Sequence, residues 1–72
     1  MSVSRNIRAL RVKAGLSQEA LAAKCGRIGQ FVTYLEQEGT NPTVSTLEIV
    51  AKGLGVEVSA LFAEEAEVLE VS

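Results

Sequence analysis

Histidine and tryptophan are absent from this sequence, and cysteine, proline and methionine each occur once. Without histidine, Ser–His and Cys–His catalytic arrangements cannot be built. A single cysteine, Cys25, can form neither an intrachain disulfide nor a zinc cluster. At a helix–turn junction it reads as a small buried hydrophobe, and its solitary state suits a reducing compartment. No apolar run approaches the roughly 20 residues that span a bilayer, and no cationic-then-apolar leader opens the chain. A soluble, cytoplasmic protein with no membrane partner is therefore expected. Gly26-Arg27-Ile28-Gly29 is no phosphate loop, because it lacks both a preceding strand and the required lysine. Glu64, Glu65 and Glu67 read as a solvated acidic tail rather than a cation site. Neither an enzyme nor a metal or other cofactor is indicated.

What the sequence does contain is apolar residues, 47% of 72. A domain of this size buries only about 60% of its unfolded surface, so one domain is expected, with no room for a separate small-molecule effector domain. The net charge of −2 argues weakly against a nucleic-acid partner, but the charges are polarised. Six basic residues and one acidic residue precede Ile28, a balance of +5; one basic and eight acidic residues follow, a balance of −7. The basic front can hold phosphates while the acidic back faces elsewhere.

Apolar spacing is helical throughout. Ser4 is read as the cap of a first helix carrying Ile7, Leu10 and Ala14, which Gly15 ends as a C′ residue. Ser17 caps a second helix, whose inward side is read as Ala20, Leu21 and the stem of Lys24, and Cys25-Gly26 stops it. A third runs from about Ile28 or Gly29 to Gln37 and buries Val32 and Leu35. Residues 38–42 form a loop. Thr43 caps a fourth helix with Leu47, Val50, Ala51 and Leu54 on one face, weakened at its end by Gly53 and Gly55. A last short helix starts near Ser59 and includes Leu61 and Phe62. The only strand-like run, Val56-Glu57-Val58, is too short to compete. The expectation is an all-α, compact five-helix bundle over about residues 4–63. Residues 64–72 are an acidic extension that could be helical, an extended arm or frayed.

Several blocks at fixed distances carry a more specific signal: Ile7-x-x-Leu10-Arg11, Gly15-Leu16-Ser17-Gln18-Glu19-x-Leu21-Ala22, Gly26, Val32-x-x-Leu35-Glu36, Asn41-Pro42-Thr43, Leu47-x-x-Val50-Ala51 and Leu54-Gly55-Val56. Together they resemble the phage-repressor and Cro-like helix-turn-helix (XRE) family over residues 4–63. The resemblance implies a lambda-repressor-like fold in which helices 2 and 3 form the helix-turn-helix. Helix 3, about residues 28–37, would enter the major groove while helix 2 lies across the backbone. It implies a bacterial or phage-encoded regulator and an ion pair between Arg11 and Glu36. Local chemistry agrees: Ser17 can accept from a free amide of its helix, and Gln18 projects from the first turn, where free N–H groups favour phosphate.

Some positions depart from the family pattern. Ile28 stands where a Ser or Thr cap is preferred, Gly29 where a long polar side chain often reads a base, and Glu38 where Gly closes the helix, with Gly39 one residue late. The exposed face that remains gives Gln30, Thr33, Tyr34 and Arg27 as candidate base contacts. Gln30 can pair with adenine N6 and N7, and Thr33 can meet a base edge or a thymine methyl. Gln18, Arg8, Lys24, Phe31, Gln37 and Asn41 are candidate backbone contacts. Solvated surface is the competing reading for the charged members, and packing for Phe31; Arg5 and Lys13 read as surface alone.

One such module touches few bases, and family members act as two-fold dimers with half-sites about one helical turn apart. Ile49, Val58, Leu61, Phe62, Val68 and Leu69 exceed what so small a core can hold and are assigned to an isologous dimer interface, with Leu61 and Phe62 as core residues the competing reading. The expected partners are double-stranded DNA and a second copy of the chain, with RNA polymerase reached through Glu36 or Glu38 as a further option. The alternative is a protein-interaction module that keeps the fold and has lost base reading.

Overall fold

The first turn of the chain is organised by two serines. In a computed structural model, which describes residues 2–63, Ser2 rather than Ser4 is the N-cap of α1 (Val3–Lys13), accepting from the Arg5 amide. Ser4 lies inside that helix, buried, with its hydroxyl 2.8 Å from that of Ser2. Both serines can cap. The earlier start brings the half-buried Val3 into the helix, on the side of the fully buried Ile7 and the half-buried Leu10.

α2 (Gln18–Lys24) starts at the Ser17 cap, whose Oγ accepts from Ala20 N–H at 3.0 Å. Its buried residues are Leu21 and Ala22. The assignment of Lys24 to the inward side is corrected: Lys24 is exposed and Ala20 only half-buried. A helix held between two neighbours buries adjacent positions, and the small Ala22 fits where a lysine stem would not. α3 (Gly29–Leu35) buries Val32 and Leu35 and ends two residues before Gln37. α4 (Val44–Leu54) starts at Thr43, whose Oγ1 accepts from Thr46 N–H, and ends at Gly55, whose φ of +74° is the left-handed conformation a helix C-terminus favours in glycine.

The expected fifth α-helix is instead a 3-10 helix, Val58–Phe62. Five residues between Glu57 and Ala63 are too few to propagate an α-helix, so the tighter turn is adopted. Leu61 points from it into the core at 0% exposure, which removes it from the proposed dimer surface. The core joins Ile7 of α1, Leu21 and Ala22 of α2, Val32 and Leu35 of α3, Leu47, Val50 and Ala51 of α4, and Leu61. Among the described residues the buried polar ones are Ser4 and, deeper, Asn6. Asn6 is wholly buried, and its Nδ2 donates to Leu61 O at 2.9 Å and Ala63 O at 2.6 Å, while its Oδ1 has no partner. Among element pairs, α2 and α3 are in the most extensive contact, and α2 also packs on α4.

Candidate nucleic-acid interface

The α2–α3 connection is a tight turn. Cys25 N–H reaches back to Leu21 O and Ala22 O, and Arg27 N–H to Ala22 O at 2.8 Å. Gly26 between them has φ +71°, a conformation costly for any residue with a Cβ. Ile28 then extends, 72% exposed, and gives α3 no side-chain cap. Gly29 has a packing role that the sequence did not reveal. A Cβ there would lie 3.0 Å from Glu19 Cγ, so the missing side chain lets the start of α3 close onto α2. With Val32 and Leu35 buried, Gln30, Thr33 and Tyr34 lie on the exposed side of the same helix.

The helix is fixed by a polar clamp. Arg11 Nε donates to Glu36 Oε2 at 2.6 Å, its Nη2 to Glu36 Oε1 at 3.1 Å, and its Nη1 to Leu16 O at 2.8 Å. This two-pronged geometry is the strong form of a guanidinium–carboxylate contact. The side chains are 12% and 5% exposed. Gln18 Nε2 adds a third donor to Glu36 Oε1 at 3.0 Å, and Gln18 Oε1 accepts from Thr33 Oγ1 at 2.8 Å. The clamp therefore runs from α1 through the end of α3 to the start of α2 and back to the exposed face of α3. Glu36, turned inward, is unavailable to a polymerase. Glu38 is exposed but paired with Arg5 Nε at 2.9 Å.

A family model described as helix-turn-helix matches residues 7–61. The chain belongs to that family. It is a helix-turn-helix protein of the phage-repressor, Cro-like (XRE) class. It is 39% identical over 70 residues, 97% of its length, to the immunity repressor protein of Bacillus phage phi105, of which it spans 49%. In structure it is similar to the hypothetical transcription factor NHTF from Neisseria (TM-score 0.82, 34% identity), covering 97% of this chain and 80% of that one. It also resembles C.Esp1396I, a restriction-modification controller protein, bound to a 19 base pair DNA duplex (TM-score 0.74, 29% identity), covering 94% of this chain and 87% of the controller.

Within this helix-turn-helix, a groove between the starts of α2 and α3 is lined by Ser17, Gln18, Glu19, Gly29, Gln30 and Thr33. Glu19 was not among the residues singled out from the sequence. Only the tertiary contact with Gly29 brings it there, so no local pattern could have signalled it. Arg27 stacks over the half-buried Phe31, its guanidinium 5.6 Å from the ring centre, which gives Phe31 a packing partner. Tyr34 is 53% exposed. Gln37 lies beyond the end of α3, its N–H bonded to Tyr34 O. Arg8 on α1 and Asn41 in the α3–α4 loop are exposed. Lys24 lines a different concavity, against α4, with Cys25, Ile49, Lys52 and Gly53. Burial raises the Cys25 thiol above its usual pKa, against the opposing pull of the Arg27 charge. Of the proposed dimer residues, Phe62 is 45% exposed and Ile49 and Val58 are half-buried; Val68 and Leu69 lie outside the described residues. Among the described residues no group of acidic, cysteine or histidine side chains could hold a metal ion, and no helix is long and apolar enough to cross a membrane.

Proposed function

We propose that this chain is a DNA-binding transcriptional regulator that lays α3 in the major groove and works as a homodimer on a pseudo-palindromic operator. The observation that carries the reading is the two-sidedness of α3: Val32 and Leu35 are sealed into the core while Gln30, Thr33 and Tyr34 stand outward on a helix clamped by Arg11, Glu36 and Gln18. A base reader must be held rigidly, because a hydrogen bond weakens steeply with misalignment. The phage-repressor relative and the DNA-bound controller support the same reading. Gln30 and Arg27 supply amide and guanidinium groups for base edges. Arg8, Lys24, Gln37 and Asn41 supply donors for phosphate, while the Gln18 amide is engaged by Glu36 and Thr33. The second copy packs through Phe62, Val58 and Ile49, which doubles the bases read and sets half-sites about one helical turn apart.

The test is selection from a random duplex pool at near-physiological salt, with Gln30→Ala, Thr33→Ala and Tyr34→Ala run beside the wild type. A pseudo-palindrome whose retention falls in the variants, from a protein that is dimeric by light scattering, is the expected result. Binding confined to low salt with no preferred sequence would instead favour the fold as a protein-interaction module.

A further inference from the structure

Thr33 has one hydroxyl hydrogen, and the protein already uses it. Thr33 Oγ1 lies 2.8 Å from Gln18 Oε1 and 3.3 Å from Gly29 O. Both are carbonyl oxygens that only accept, so the proton points at one or the other. The glutamine cannot reverse this. Its Nε2 faces Glu36 Oε1 at 3.0 Å, and that carboxylate, engaged by Arg11, only accepts. The amide must turn its NH₂ to Glu36 and its oxygen to Thr33. A nearly closed ion pair on the inner side thus fixes, through Gln18, the hydrogen-bond polarity of a hydroxyl on the outer side. Beside Thr33 a second acceptor lines the same groove. Glu19 Cγ occupies the space against Gly29 where a side chain at that position would begin, and the residue ends in a carboxylate with no hydrogen-bond or ion-pair partner among the described residues.

We infer that the edge of the groove at Thr33 selects a base that donates into the major groove. There Thr33 Oγ1, its proton already engaged, and the Glu19 carboxylate offer lone pairs and no proton. Adenine N6 and cytosine N4 present donors, whereas guanine presents N7 and O6 acceptors and thymine an O4 acceptor. Thr33 is the specificity-determining residue and Gln18 its positioning residue. This rests on the reading of α3 as the helix that enters the major groove.

The experiment is sequencing of the fragments retained from a random duplex pool by the wild type, Thr33→Val and Thr33→Ser, each shown to be folded by circular dichroism. The position read by Thr33 is the one whose preference relaxes in Thr33→Val. Every base pair carries one donating base, so the position is then probed with duplexes in which that base lacks its exocyclic amine, purine for adenine or 2-pyrimidinone for cytosine. The wild type and Thr33→Ser should lose roughly fivefold or more in retention, and Thr33→Val less than about twofold, since one base-edge contact is worth a factor of this order. Wild-type retention that survives loss of that amine, or an unchanged profile in Thr33→Val, overturns the inference and leaves the DNA-binding reading standing. A folded wild type that enriches no sequence overturns both.

Discussion

Replacing Arg11 with methionine isolates the clamp. The substitution keeps the length and apolar character of the side-chain stem and removes three donated bonds, two to Glu36 and one to Leu16 O. The Glu36 carboxylate, 5% exposed, is left with Gln18 Nε2 as its hydrogen-bond partner among the described residues. Breaking a buried pair from one side costs about 3–5 kcal/mol. The 12% exposure of Arg11 admits some water, which places this pair near the low end, about 3 kcal/mol. At about 0.05–0.15 kcal/mol per residue, a domain of this size has only about 4–11 kcal/mol to lose. At about 4–8 °C per kcal/mol, the thermal midpoint should fall by roughly 12–24 °C. Thermal melts followed by far-ultraviolet circular dichroism measure this directly. Arg11→Met with Glu36→Leu should recover much of the loss, because a well-packed apolar pair can replace a buried ion pair. A single-variant midpoint within about 3 °C of the wild type would show that the clamp does not hold the fold together.

Ile28→Ser should stabilise the protein by about 1 kcal/mol in a urea titration, because it supplies the missing cap of α3 and removes an exposed isoleucine. Gly53→Ala would place a Cβ 2.8 Å from Cys25 Sγ and 3.3 Å from Leu21 Cδ1. It should destabilise the wild type but stabilise a Cys25→Ala background, where the helix-propensity gain of about 1 kcal/mol is no longer opposed by the sulfur; equal effects in the two backgrounds would remove Cys25 as the cause. Burial raises the Cys25 thiol pKa, so the fold favours its neutral form. That contribution is complete below the ordinary thiol range near ~8.5 and is lost as pH rises through the higher native value. Wild-type stability should therefore decline over that alkaline window more than that of Cys25→Ala, as read by urea midpoints.

The parts of the fold that local chemistry dictates were legible from sequence: Ser17 and Thr43 cap helices, and Gly55 ends one. Val32, Leu35, Leu47 and Val50 are core residues because the helical period puts them there. Local rules failed where two residues could serve equally, as with Ser2 and Ser4, or where burial depends on a neighbour's size, as with Ala22 and Lys24. They also failed at the last element, where length rather than composition chose a 3-10 turn over an α-helix. At the site, the outward face of α3 followed from periodicity. The roles of Gly29 and Glu19 did not, because each makes sense only when α2 and α3 are seen against each other. Nor could spacing show that Gln18, read as a phosphate contact, is bound on one side by Glu36 and on the other by Thr33.

The bonds from the Asn6 amide to Leu61 O and Ala63 O bridge separations of 55 and 57 residues. They tie the first helix to the last turn and close nearly the whole described chain into one loop. The entropy cost of closing so long a loop is offset only when both ends are present to make these contacts. No fragment missing either α1 or the Val58–Phe62 turn should then retain native stability. In native-state hydrogen exchange, the amides of α1 and of the Val58–Phe62 turn should open together and at the same free energy, as one cooperative unit. A nascent chain would accordingly acquire its fold late, once residue 63 has left the ribosome, so that the face carrying Gln30, Thr33 and Tyr34 is assembled in a single step.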